Sequence, residues 1–130
     1  MPAHQRLRAL WLVLGWGWVA TIVWLSLTPS PPAIRLEQGD KLGHFLGYGI
    51  LMFWFCQLYA ARRIRLAYAL GFAVLGVALE FAQRALGYRT YEPFDMVANA
   101  LGVALGWAAA LASGGRLLAR LEAAFSRPRG

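Results

Sequence analysis

Asp40, Lys41, His44 and Tyr48 stand at near-helical spacing in one stretch of the chain, Glu80, Gln83 and Arg84 in a second, and Asp95 and Asn99 in a third, with Arg89 between the last two. Asp40 and His44, Glu80 and Arg84, and Asp95 and Asn99 are each one helical turn apart, which puts the members of a pair on one face. An imidazole moves protons near neutral pH, and a carboxylate beside it serves as a base or orients the ring. His44 and Glu80 are therefore the candidate catalytic pair. Lys41, Arg84 and Arg89 have the chemistry to hold an anion such as phosphate. Asp40, Tyr48, Gln83, Asp95 and Asn99 complete a candidate substrate-binding set.

A divalent metal on Asp40, His44, Glu80 and Asp95 is the alternative. No H-E-x-x-H or other metal-ligand spacing supports it, so no metal ligand is assigned, and the residues indicate no particular cofactor. A serine hydrolase is not expected on similar grounds: there is no G-x-S-x-G element and no serine within the set. Each residue also has a plainer role open to it. Asp40 and Asp95 suit helix N-termini as caps. Lys41 can snorkel to headgroups. His44 can be a hydrogen-bonded packing residue and Tyr48 a core or interface residue. Glu80 and Arg84 can form a structural pair within a buried bundle.

The elements that must position these side chains follow from composition. The 130 residues are 59% hydrophobic and 15% charged, with six Trp, seven Phe and five Tyr. A soluble fold of this size leaves too much surface in water to hide so many apolar side chains. A bilayer removes that demand. The net charge of +7 sits in short basic clusters between apolar runs, which suits anionic headgroups rather than nucleic acid. Cys56 is the one cysteine, so no intrachain disulfide forms.

The spacing predicts an all-α integral membrane protein of four transmembrane helices, at about 9–27, 40–61, 66–84 and 95–113, in a single domain over 1–113. Residues 114–130 form a short amphipathic, basic interfacial tail. The first run, Ala9 to Leu27, rises about 28 Å as a helix, close to the bilayer core. Its exit lacks a signal-peptide cleavage pattern, so an uncleaved span is expected. Trp11, Trp16, Trp18 and Trp24 lie on it, those near its ends suited to anchor at the interfaces. Pro29, Pro31 and Pro32 end it. Arg62, Arg63 and Arg65 read as a basic turn between helices two and three. Gly43-x-x-x-Gly47 and Gly102-x-x-x-Gly106 offer two smooth faces for close helix contact.

An even number of crossings puts both termini on one side. The arginine-rich N-terminal segment, 62–65 turn and tail share that side, so the positive-inside rule makes it cytoplasmic. The candidate site residues, though drawn from three helices, then gather at the opposite, outward end.

Asp40-Lys-x-x-His44-x-x-x-Tyr48, Glu80-x-x-Gln83-Arg84, Arg89 and Asp95-x-x-x-Asn99-x-x-Gly102-x-x-x-Gly106, together with the Ser26-Leu27-Thr28-Pro29 exit from helix one, resemble the VanZ-like family. The resemblance spans residues 26 to 106 and implies a small bacterial inner-membrane protein, in a family whose name-bearing member is linked to resistance to teicoplanin-type glycopeptides. Three functions are expected in turn. The first is a site for the headgroup of a membrane lipid or lipid-linked cell-envelope precursor. The second is an enzyme acting on a lipid-linked phosphate. The third is a structural or partner protein whose polar cluster only locks the helices.

Overall fold

The computed structural model describes residues 2–28, 39–87, 93–114 and 116–128, and of Gly39 and Asp40 only the backbone. Among them the chain is all-helical: α1 Ala3–Leu27, α2 Gly39–Leu58, α3 Arg62–Leu86, α4 Pro93–Ala112 and α5 Leu117–Ser126. Arg35, Glu37, Arg89, Tyr91 and Glu92 lie outside the described residues. Three helices, α1, α3 and α4, are long and apolar enough to cross a membrane. α2 carries Lys41, His44 and Gln57, and these polar groups lower its hydropathy.

The helix ends differ from the expected ones for local reasons. α3 begins at Arg62 rather than Leu66, because arginine is a good helix former and its charge alone breaks nothing. α4 begins at Pro93, whose fixed φ and missing N–H suit a first helical position. α3 stops where Gly87 takes the left-handed conformation, φ 73°, and returns its N–H to the carbonyls of Gln83 and Arg84. Gly114, φ 79°, marks the end of α4.

The four long helices pack side by side, with α2 touching α1, α3 and α4, and with α1 and α4 apart. Trp11 and Trp54 fix α1 against α2 in opposite directions. Their rings stack with centroids 3.8 Å apart. Trp11 Nε1 donates to the Trp54 carbonyl at 3.1 Å, and Trp54 Nε1 donates to the Trp11 carbonyl at 2.7 Å. Trp18 Nε1 likewise donates to the Gly47 carbonyl at 3.0 Å. Of the four tryptophans expected on helix one, Trp11 and Trp18 thus tie the bundle together, Trp16 is half exposed with its ring against Phe55 and Tyr68, and Trp24 faces outward.

α2 and α4 run parallel in the closest contact of the fold. A side chain at Gly102 would meet the Phe45 carbonyl oxygen, and one at Gly106 would meet the Gly49 carbonyl oxygen. The Gly102–Gly106 face is therefore used for packing. A Cβ at Gly43 would meet open space and one at Gly47 only Ile22, so the smooth surface that α2 turns to α4 is at Gly49 instead.

The burial pattern is inverted relative to a soluble protein. Leu66, Leu70, Val74, Val77 and Phe81 form an exposed apolar stripe along α3, while Arg65, Glu80 and Gln83 on its other face are buried. α4 repeats this: Val97, Leu101 and Leu105 face out and Asp95 and Asn99 face in.

α5 is docked rather than loose. Leu118 is fully buried, and the Leu117 N–H donates to Gln57 Oε1 at 2.8 Å, so a side chain of α2 caps the first turn of the tail helix.

Candidate functional site

His44, Asp95 and Asn99 come together where α2 meets α4. His44 is on the second turn of α2, and its Nδ1 lies 2.9 Å from Asn99 Oδ1. An amide oxygen only accepts, so Nδ1 carries the hydrogen. His44 Nε2 lies 3.7 Å from Asp95 Oδ2, an ion-pair distance longer than a hydrogen bond. Asp95 and Asn99 are one turn apart on the inward face of α4 and both are buried. The imidazole is 14% exposed, so it sits at the edge of the packed region rather than beneath it.

α3 closes the other side. The Asn99 amide lies against Gly76: a Cβ there would come within 2.7 Å of Asn99 Nδ2. Glu80 is one turn beyond Gly76 on the same buried face, with 2% exposure. α3 thus presents a carboxylate to the same interface, at the end where α4 presents Asp95. Burying carboxylates and an imidazole among apolar helices is costly, and groups placed so usually serve a site or a tight structural network.

Gln83 has a clear partner elsewhere. Its Nε2 donates to the Ser26 carbonyl at 2.8 Å, filling an acceptor left open by the end of α1. It therefore joins α3 to α1 rather than to His44. Tyr48 is packed into the apolar core, 3% exposed, one turn inward from His44. Lys41 is half-buried on the first turn of α2, and Arg84 is exposed one turn beyond Glu80. Both basic residues therefore lie further toward the helix ends than the buried groups. The Asp40 side chain and Arg89 lie outside the described residues. Among the described residues no three His, Cys, Asp or Glu side chains gather as metal ligands do.

Gly76 is the contributor that sequence reasoning passes over. Its signal is its position, one turn before a buried glutamate on the same helix face, where a missing side chain leaves room for a partner.

No family profile and no solved structure matches the chain. The chain is 35% identical over 77 residues to an uncharacterized protein of Schizosaccharomyces pombe, C11E3.10, an alignment covering 57% of this chain and 48% of that protein. The chain accordingly spans about half the length of the curated relative it matches.

Proposed function

We propose that this is a four-span integral membrane protein, both termini cytoplasmic, whose outward end binds the phosphate-bearing headgroup of a lipid or lipid-linked cell-envelope precursor. The fourth span is α2, which lies among the three membrane-length helices and parallel to α4. Its polar groups His44, near one end, and Gln57, near the other, are turned inward, His44 toward α4 and Gln57 toward α5. The exposed Arg62, Arg63, Arg116, Arg120 and Arg127 near the α2–α3 connection and the tail favour a cytoplasmic placement for that end.

One observation carries the binding reading: an imidazole held by Asn99 and Asp95 at the edge of the bundle, one turn below Lys41. On α3, Arg84 stands one turn beyond the buried Glu80 in the same sense. Cations at a rim meet phosphate oxygens through charge-assisted hydrogen bonds. The polar groups beneath would then meet the hydroxyl or amine groups of the headgroup. The VanZ-like resemblance supports a cell-envelope ligand, a bacterial inner membrane and a link to glycopeptide resistance. The fission-yeast relative carries similar sequence in a eukaryote, and headgroup binding requires only a bilayer that supplies the phosphate.

The test is titration of the purified protein in lipid nanodiscs with a polyisoprenyl phosphate. Binding should saturate, and Lys41→Ala with Arg84→Ala should weaken it about tenfold or more while folded yield is kept. Unchanged affinity in that double variant would remove the reading.

A second reading is favoured by the orientation of the ring. With Nδ1 held by Asn99 Oδ1, Nε2 is the ring atom that takes or gives a proton, and the Asp95 carboxylate 3.7 Å from it pairs with the ring when it is protonated. On it, His44 and Glu80 act as acid and base on the bound lipid phosphate, and purified protein releases phosphate or transfers it in a His44-dependent way.

A further inference from the structure

We infer that Gly76 is a positioning residue for His44, acting through Asn99. It stands on the geometry of the His44 site and is independent of which ligand that site takes. Asn99 lies between α2 and α3. Its Oδ1 takes the His44 Nδ1 hydrogen at 2.9 Å, and its Nδ2 faces the bare Cα of Gly76. A Cβ at Gly76 would sit 2.7 Å from that nitrogen and 3.3 Å from the Asn99 Cβ and Cγ atoms. The three nearest atoms it meets all belong to the Asn99 side chain. Turning that side chain about its Cα–Cβ bond carries Nδ2 and Cγ away and withdraws Oδ1 from His44, while the Cβ contact needs a shift of only a few tenths of an ångström.

Gly102 provides the contrast. A Cβ at Gly102 meets the Phe45 carbonyl oxygen and carbon and the Gly49 nitrogen, all backbone atoms of α2. Backbone cannot yield without moving the helix. The two glycines therefore have different jobs. Gly102 sets how closely α2 and α4 approach. Gly76 leaves room for one amide to hold one imidazole.

The experiment reads the exchange of the His44 Nδ1–H with water by nitrogen-15 NMR on full-length protein in nanodiscs. His4→Gln removes the other histidine. In the parent the Nδ1–H should exchange slowly. Gly76→Ala should keep the protein folded and speed that exchange about tenfold, the loss of roughly one hydrogen bond. Asn99→Ala should do the same, and adding Gly76→Ala to it should change nothing further. If Gly76→Ala unfolds the protein, refolding in the Asn99→Ala, Gly76→Ala double variant supports the inference, because the clash was with Asn99. Failure of that double variant to fold overturns it and makes Gly76 a backbone-packing position like Gly102. A folded Gly76→Ala protein with unchanged Nδ1–H exchange overturns it as well, and so does a further change on adding Gly76→Ala to Asn99→Ala. Loss of polyisoprenyl phosphate binding is scored separately. If no variant or parent binds the lipid, the headgroup reading fails while the exchange data still decide the role of Gly76.

Discussion

At the Leu58 end of α2, guanidinium groups are aimed at backbone; near its Lys41 end, Gln83 caps the end of α1, while His44, Asp95 and Asn99 are aimed at one another. Arg65 is buried, and its Nε and Nη2 donate to the carbonyls of Tyr59 and Cys56, both at 2.7 Å. Arg8 donates to the Leu58 carbonyl from α1. These are acceptors that a helix end leaves open, and cations are favoured there by the helix dipole. In an apolar surround every such carbonyl must find a donor, so the architecture itself demands these contacts. Nothing in the backbone demands the contact of His44 with Asn99 and Asp95. Placing imidazole and carboxylate there costs desolvation that a pair of leucines would avoid. The first region is explained by folding alone. The second is where a function is to be sought.

The largest expected effect tests the first half of that contrast. Arg65→Ala removes two charge-assisted hydrogen bonds and should cost about 3 kcal/mol in unfolding experiments on detergent-solubilised protein. Lipid-phosphate affinity of the folded fraction should hardly move. A cost near zero would mean that the arginines at this end are surface charges after all. Next in size, Asn99→Ala should cost roughly 1–2 kcal/mol in the same assay, and should weaken lipid-phosphate binding by more than its stability loss accounts for. Equal losses in stability and binding would make the His44 cluster a second structural lock and erase the difference between the ends. The smallest effect is at the tail. Gln57→Leu removes the acceptor for the Leu117 N–H and should loosen α5 by about 1 kcal/mol. Limited proteolysis should then cut within α5 while the four long helices stay protected. Unfolding of the whole bundle instead would show that α5 is part of the core.

Much of this arrangement was open to reading before the fold. Apolar runs punctuated by Pro29, Gly87 and Gly114 mark the long helices, because chain breakers are local signals, whereas the 62–65 arginines, expected as a turn, form the first turn of α3. The pairing of Asp95 with Asn99 on one inward face follows from helical spacing, and the structure buries both. Other assignments depended on neighbours. Arg8 and Arg65 look like topology-setting charges until a helix end is placed beside them. Tyr48 shares the spacing of the site residues, yet it points into the core. The Gly43 and Gly47 pair has a packing pattern, yet the face of α2 that meets α4 carries Gly49.

The sequence by itself determined how many long helices there are, about where each starts and stops, and which polar groups fall at the same end of the bundle. Those follow from hydropathy along the chain and from connectivity, which together fix how far along its helix each residue sits. Which of those groups touch was decided only by the tertiary structure. Rotation of each helix about its axis is set by where a glycine lets another backbone approach and where an indole or guanidinium finds a carbonyl, as Gly102 does for Phe45 and Trp18 for Gly47. Those partners lie on other helices, and no local pattern records them.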